Sequence, residues 1–202
     1  MSKVVVGMSV SVDGIAGGTD PSNFMVVHEA VLGWVFDLRS WRSQQGMDGG
    51  ADNQDSKIWA AEFERFGAQV LGRTMFDYGY PHWGETPPFH APVFVVTHRA
   101  GERIEKQGGT SYTFVTDGIA RAIEEARAAA GDKDVLVAGG IGTARQALAA
   151  GLVDELVLHV SPVVLGNGTP LLAELGERQI ALRDPEVVAG EVAVHLRYQI
   201  TR

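Results

Sequence analysis

Short apolar runs and amphipathic segments alternate along the chain as far as residue 150. The runs are rich in β-branched side chains and predict buried strands. These strands occupy residues 3–12, 69–72, 92–97, 112–116 and 135–138. Apolar side chains three and four positions apart predict helices over residues 28–42, 56–66 and 118–130 and from Thr143 onward. Strands that alternate with helices are typical of an α/β fold with a parallel sheet.

The pattern changes after Val153. Residues 155–160 and 192–200 alternate apolar and polar side chains, as antiparallel strands with one exposed face do. The chain is therefore expected to form a mixed central sheet, mostly parallel with an antiparallel C-terminal edge, flanked by helices. We expect residues 1–202 to be a single domain with a flexible insertion at the polar residues 43–55. Together with the loop that starts at Ile15, this insertion would form a flap.

Charge and composition exclude several classes of protein. The net charge of −8 argues against a nucleic-acid partner, because nonspecific binding to phosphates needs a basic face. The chain has no cysteine, and its six histidines are scattered without metal-ligand spacing, so no metal is expected. No apolar run is long enough to cross a membrane, and the N-terminus leads directly into a strand. We therefore expect a cytoplasmic protein with no membrane partner.

Two of the predicted strands turn through glycine into a helix. Gly139-Gly140-Ile141-Gly142 follows residues 135–138, and Gly72 follows residues 69–71. Such a turn leaves backbone N–H groups unpaired at the start of the helix, where a phosphate can bind. Alternatively, the glycines only allow a closely packed corner, and the turn alone leaves both interpretations open. A Rossmann dinucleotide fingerprint is not expected, because the third glycine is missing and no βαβ unit follows.

Five motifs follow one another along almost the whole chain. They are Ser9-Val10-Ser11-Val12-Asp13-Gly14, Val70-Leu71-Gly72-Arg73-Thr74-Met75-Phe76, Val95-Val96-Thr97-His98-Arg99, Val137-Ala138-Gly139-Gly140, and Asp154-Glu155-Leu156 with Val163-Val164-Leu165-Gly166. In this order they resemble the dihydrofolate-reductase-like superfamily. The nearest branch is that of the C-terminal reductase domain of the bifunctional deaminase-reductase of riboflavin biosynthesis. The resemblance implies a central sheet that binds NADPH.

The resemblance also implies roles for individual residues. Gly72-Arg73-Thr74 is similar to a turn that holds cofactor phosphates, and Thr97-His98-Arg99 to the turn beside the adenosine 2′-phosphate. Gly139-Gly140-Ile141-Gly142-Thr143-Ala144 resembles the helix N-terminus under the pyrophosphate. Asp13-Gly14 corresponds to the start of the loop over nicotinamide and substrate. Asp13 is the leading candidate for the proton donor, with a role in loop geometry as the alternative. We expect Asp13, Gly14, Trp34 and Trp83 to line the substrate pocket.

Two positions depart from the family pattern. Ala138 stands where the aminouracil reductases carry a glutamate that contacts the substrate. The predicted first helix offers Glu29 and Asp37, but without the local pattern that surrounds the pterin-binding carboxylate of dihydrofolate reductases.

The sequence therefore favours an NADPH-dependent reductase that transfers a hydride to a small heterocycle. The substrate would be pteridine-like, as dihydrofolate is, or similar to 5-amino-6-(5-phosphoribosylamino)uracil. The alternative is a nucleotide- or flavin-binding module of the same fold without turnover. We also expect a homodimer in which residues 192–200 pair strands across a two-fold axis.

Overall fold

The computed structural model describes residues 2–19, 21–176 and 179–201. The contacts divide the chain into two compact units. Unit 1 comprises residues 2–6 and 64–155, and unit 2 comprises residues 7–63 and 156–201. The first strand, β1 (Val4–Ser11), supplies its first three residues to unit 1 and the rest to unit 2.

The other elements follow in chain order. They are β2 (Ile15–Gly17), α1 (Phe24–Leu32), α2 (Arg39–Gln44), α3 (Gln54–Arg65), β3 (Phe66–Gly72), α4 (Arg73–Trp83), β4 (Pro92–Val96), β5 (Ile104–Glu105), β6 (Ser111–Val115), α5 (Gly118–Ala130), β7 (Asp134–Gly139), α6 (Ile141–Ala149), β8 (Glu155–Ser161), β9 (Thr169–Pro170), β10 (Leu182–Ala189) and β11 (Val194–Ile200). Short 3₁₀ turns occupy Pro21–Asn23, Gly33–Val35 and Gln107–Gly109.

Unit 1 is built on a parallel sheet with the strand order β1–β7–β3–β4–β6–β5. All neighbours are parallel except β5, which runs antiparallel to β6. Valines at the centre of this sheet are completely buried, which explains their unbroken apolar runs in the sequence. They are Val4, Val5, Val6, Val70, Val93, Val95, Val135 and Val137. Helix α5 packs against β3, β4 and β7 through the small side chains Ala122 and Ala126.

Charged side chains tie together the amino-terminal end of this sheet. Glu155 is almost completely buried and accepts hydrogen bonds from Arg65 at 2.5 Å and Lys3 at 3.1 Å. Arg65 also donates to Asp134 at 2.7 Å, and Asp134 accepts the backbone N–H of Lys3. The buried carboxylate is therefore paired with two cations, as a buried charge must be.

Unit 2 contains the strand order β10–β11–β8–β1 and a separate pair formed by β2 and β9. Strands β10 and β11 are antiparallel, with a register shift between Arg183 and Glu186. Asp184 lies within this irregularity and has a φ of 53°. The predicted fold class is confirmed, because parallel strands in unit 1, an antiparallel C-terminal edge in unit 2 and packed helices are all present.

The single helix predicted over residues 28–42 is wrong. The chain forms α1, then the 3₁₀ turn Gly33–Val35, then α2. Leu38 interrupts the helical path with an extended backbone and bridges to Ala51. The predicted apolar stripe is nevertheless buried at Val31, Val35 and Leu38. Burial of the stripe thus does not require one continuous helix.

Residues 43–55 contain several hydrogen bonds to the neighbouring α2 region. Ala51 donates its N–H to the carbonyl of Asp37 at 2.7 Å and accepts that of Arg39 at 2.9 Å. The Arg42 side chain donates to the carbonyl of Asp48 at 2.9 Å. These bonds define one conformation of the segment, whereas its flexibility stays a prediction.

Candidate active site

Three of the predicted cofactor-binding segments meet at one edge of the sheet in unit 1. Gly72 lies opposite Val96 in the parallel pair β3–β4, and Leu71 lies opposite Gly139 in the pair β3–β7. The chain segments that follow these three strands therefore start side by side. Ligands of open α/β sheets bind at the carboxyl ends of the strands, so this edge is the candidate site.

The backbones of Gly72 and Gly140 approach each other closely at this edge. A side-chain carbon on Gly140 would lie 3.3 Å from the Cα of Gly72, and Gly140 has a φ of 80°. A side-chain carbon on Gly72 would collide with the hydroxyl oxygen of Thr143, which is buried. Both glycines, and Thr143 with them, are therefore required by packing, whatever they bind.

The N-terminus of α6 offers a place for an anion next to this contact. No side chain caps the helix at Gly140. Gly142 is exposed, and a side-chain carbon there would meet no atom within 4 Å. By contrast, Gly139 and Ala144 are buried and Ile141 is partly buried. The open backbone of the first helical turn, rather than these side chains, is the part that can receive a phosphate.

Two arginines share one carboxylate beside the glycine contact. Arg73 donates from Nε to Asp77 at 2.7 Å, and Arg99 donates from Nη2 to the other oxygen of Asp77 at 2.8 Å. The guanidinium of Arg73 also lies over the rings of Phe76 and Phe114. The cluster has a formal charge of +1, because two cations face one anion. Sequence reasoning missed Asp77, although its position four residues after Arg73 on a helix was a usable signal.

The remaining predicted cofactor-binding residues differ in exposure. Thr97 is buried, and its hydroxyl accepts the backbone N–H of Arg99 at 3.0 Å, which fixes the turn after β4. His98 and Thr74 are exposed. Thr97 thus acts on the backbone of its own turn, whereas His98 and Thr74 are available to a ligand.

Asp13 belongs to unit 2 and is held by three hydrogen bonds. Its carboxylate accepts the Ser11 hydroxyl at 2.6 Å, the Leu165 N–H at 3.2 Å and the Gly166 N–H at 2.8 Å. The bonds from Ser11, Gly166 and Leu165, in that order of effect, lower the pKa of Asp13 to about 2. An ionised, fully engaged carboxylate suits the loop-geometry role better than proton donation.

The other predicted substrate residues are distributed over both units. Gly14 in unit 2 has a φ of 78° and accepts the Leu171 N–H at 2.9 Å. Trp34 in unit 2 donates its indole N–H to the carbonyl of Val31 at 3.1 Å. Trp83 in unit 1 ends α4 and packs against Phe89 and Tyr112. Their common pocket stays a prediction.

The carboxylates of the first helical region are not buried. Glu29 and Asp37 are both exposed. The buried acid of unit 2 is instead Asp55 in α3, which is completely inaccessible and bonded to His195. Sequence reasoning did not single out Asp55, because its partner lies 140 residues away along the chain.

Residues 2–196 match the family model described as the RibD C-terminal domain. The chain belongs to the RibD C-terminal domain family. Membership in this family indicates an oxidoreductase of the reductase type. The chain is also 28% identical to the uncharacterized protein YyaP of Bacillus subtilis (strain 168) over 119 residues. That match covers 54% of this chain and 61% of YyaP.

Solved structures of several RibD-like and dihydrofolate reductases share the fold. A Shewanella sp. PV-4 protein provisionally assigned to riboflavin biosynthesis has a TM-score of 0.67 and 22% identity, with 99% of each chain covered. The riboflavin biosynthesis reductase Rib7 of Saccharomyces cerevisiae has a TM-score of 0.55 and 13% identity, covering 99% of this chain and 90% of Rib7. An Enterococcus faecalis dihydrofolate reductase complexed with NADP(H) has a TM-score of 0.56 and 13% identity, covering 99% of this chain and 97% of the reductase. The resemblance to the dihydrofolate-reductase-like superfamily is thus confirmed for this RibD C-terminal domain.

Residues 2–19, 21–176 and 179–201 contain neither a metal-ion cluster nor a membrane-spanning helix. Within these ranges, no group of three or more histidine, aspartate or glutamate side chains is arranged to hold a metal ion. Within the same ranges, no helix has the length and apolar character needed to span a membrane.

The packing at Gly72 can be tested by substituting this crowded glycine and the glycine in open space at position 142. Gly72→Ala is expected to destabilise the protein by about 1–3 kcal/mol, since the new methyl group collides with buried Thr143. Gly142→Ala is the matched control and should be neutral or stabilising by up to about 1 kcal/mol, because open space surrounds it. Urea unfolding of both variants measures the difference. Equal stabilities would show that Gly72 is not closely packed against Thr143.

The anchoring role of Asp13 predicts a local effect on hydrogen exchange. Asp13→Asn should speed amide exchange at Gly166, because the carboxylate that accepts this N–H is lost. The lowered pKa means that the anchor is present above the ordinary value of 3.8 and is lost as pH falls towards about 2. Wild-type exchange should therefore approach that of the variant in this range. The exposed Asp48→Asn serves as control, and unchanged Gly166 exchange in Asp13→Asn would contradict the anchor.

Proposed function

We propose that this RibD C-terminal domain is an NADPH-dependent reductase of a small heterocyclic substrate. The substrate class would be pteridine-like, as dihydrofolate is, or similar to 5-amino-6-(5-phosphoribosylamino)uracil. NADPH supplies the hydride when it is bound, and the protein positions the cofactor and substrate. The E. faecalis relative of the same fold is a complex with NADP(H), which supports the cofactor assignment.

One observation carries this proposal. The ends of β3, β4 and β7 are in register, so that Arg73, the turn at Thr97 and the N-terminus of α6 share one edge of unit 1. This edge combines open backbone N–H groups with a cationic cluster, which are the two features that bind a phosphorylated dinucleotide. We assign the pyrophosphate to the first turn of α6 and the adenosine 2′-phosphate to Arg73 and Arg99. His98 and Thr74 are exposed beside them.

A second candidate function is a nucleotide- or flavin-binding module without turnover. It is favoured by the state of Asp13, whose carboxylate is ionised and committed to three hydrogen bonds. The reductase then needs another proton source, such as an ordered water molecule. Steady oxidation of NADPH in the presence of any pteridine or aminopyrimidine substrate would exclude the module.

Calorimetric titration with NADPH and with NADH tests the cofactor site. We expect wild-type protein to bind NADPH at least about tenfold more tightly, a difference of about 1.4 kcal/mol, because the arginines recognise the 2′-phosphate. Arg73→Ala and Arg99→Ala should each remove most of this preference while changing NADH affinity much less.

Arg121→Ala provides the control, since Arg121 is exposed in unit 1 and pairs with Glu124 and Glu125 of its own helix. It should leave both affinities unchanged. Unchanged NADPH preference in both arginine variants would refute the assigned roles. Failure of the wild type to bind either cofactor would refute the reductase proposal itself.

The expected pairing through residues 192–200 is wrong, because β11 lies between β10 and β8 and is not an edge strand. We also propose that the protein is a homodimer, paired instead through the sheet edge formed by β10. Strand β10 is the last strand in its sheet, and its Val187 is 61% exposed. Leu182, Val192 and Val194 are also exposed nearby in the sequence. An exposed apolar edge strand is a template for pairing with another chain.

Light scattering tests the dimer. The wild type should show twice the mass of one chain, and Val187→Lys should shift it towards the monomer. Val164→Lys replaces an equally exposed valine of unit 2 and should leave the dimer intact. A monomeric wild type at micromolar concentration would exclude the homodimer.

A further inference from the structure

Four titratable side chains form a continuous buried network in unit 2. Asp55 and Glu62 lie on α3, His159 on β8 and His195 on β11. The Nδ1 atoms of the two histidines are 2.7 Å apart. The Nε2 of His195 lies 2.8 Å from Asp55, and the Nε2 of His159 lies 3.1 Å from Glu62. The two histidines are at most 5% exposed and Asp55 is completely buried.

Both carboxylates of the network are ionised. Burial opposes the charge on Asp55, but hydrogen bonds from His195 and from the N–H groups of Val192 and Ala193 outweigh it and lower its pKa. Burial likewise opposes the charge on Glu62, but the charge of His159 and its hydrogen bond lower the pKa of Glu62. An ionised carboxylate can only accept, so each Nε2 that faces one must carry a proton.

The contact between the rings then fixes the number of protons. A hydrogen bond between two Nδ1 atoms needs one donor and one acceptor, and therefore one proton. Together with the two Nε2 protons, the pair holds three protons on four nitrogens. One ring is consequently a cation and the other is neutral. A fourth proton would point two N–H groups at each other. With only two protons, one of them between the rings, a nitrogen lone pair would face a carboxylate.

The surroundings disfavour a charge on His195. Burial lowers the pKa of His195; the bond to Asp55 opposes this effect, and the neighbouring His159 adds to it. Other charged groups that face the network are Arg197 of β11, which acts on Glu62, and Glu186 of β10, which pairs with Arg197 at 3.1 Å. The ring of Trp34 packs on both histidines, with centroids 5.6 and 5.5 Å away.

Water can reach the network. A cavity of about 50 Å³ is lined by residues that include Glu62, His195 and Arg197. This volume is sufficient for at least one water molecule, which needs polar partners of this kind. The pair can therefore exchange protons with solvent while unit 2 stays folded.

We propose that His159 and His195 form a binding site for one proton shared between their Nδ1 atoms. Uptake of a fourth proton by the pair then separates the rings and releases α3 from β8 and β11. The network is thus an acid-sensitive lock within unit 2. Unfolded chains take up a proton at each histidine near pH 6.5. Since the folded pair holds the shared proton but resists one more, the stability that the lock contributes is greatest near this pH and is lost as pH falls below it.

The ring protonation states of the wild type test the proposal without any substitution. Long-range ¹H–¹⁵N correlation spectra of labelled protein at neutral pH should show one of the two rings protonated on both nitrogens and the other protonated only on Nε2. Two neutral rings, or two doubly protonated rings in the folded protein, would overturn the proposal. Added zinc should leave these signals unchanged. A shift of the signals at one zinc ion per chain would mean that the histidine pair binds a metal ion, and it would overturn the proposal.

Stability against pH provides the second readout. Unfolding of the wild type should be accompanied by the uptake of about one additional proton near pH 5 and by almost none at pH 6.5, as read from the slope of its free energy. His195→Gln should abolish this uptake, and His82→Gln, which removes an exposed histidine of unit 1, should retain it. Identical slopes in His195→Gln and the wild type would overturn the proposal. If His195→Gln does not fold, the ring spectra of the wild type decide.

Discussion

The close approach of the Gly72 and Gly140 backbones is the constraint on which the candidate site depends. It holds the ends of β3 and β7 together, and the register of β4 adds the turn at Thr97 to the same edge of unit 1. The contact leaves no space for side chains there, while the first turn of α6 stays open at Gly142. Packing thus explains Gly72 and Gly140, whereas the proposed anion site uses the open turn at Gly142, so the two interpretations of the sequence motif apply to different residues.

The two units use buried charge in different ways. In unit 1, Glu155 is matched by Arg65 and Lys3, so the cluster ties the amino ends of strands together without a histidine. In unit 2, the carboxylates of Asp55 and Glu62 are matched by a histidine pair that can hold a variable number of protons. Unit 2 therefore combines an ordinary apolar core with an element whose charge changes near neutral pH.

The sequence was sufficient for the features that depend on local pattern. Valine runs in β1, β4 and β7 predicted a buried parallel sheet, and the glycine turns predicted where a phosphate could bind. Features that depend on distant partners were not predictable. Asp55 did not stand out because His195 is far away in the sequence, and Asp13 looked like a proton donor because its partners Leu165 and Gly166 were unknown. The break at Leu38 likewise depends on its bridge to Ala51, which helical periodicity does not reveal.

A crystal structure of the protein with bound NADPH is the most direct test of the proposed cofactor site, because it locates each phosphate. The account predicts the pyrophosphate at the N-terminus of α6 beside Gly142, and the adenosine 2′-phosphate in contact with Arg73 and Arg99. Binding should also turn at least one of these arginines away from Asp77, which otherwise occupies both. Density for the cofactor elsewhere, with the Arg73–Asp77–Arg99 cluster unchanged, would contradict the account.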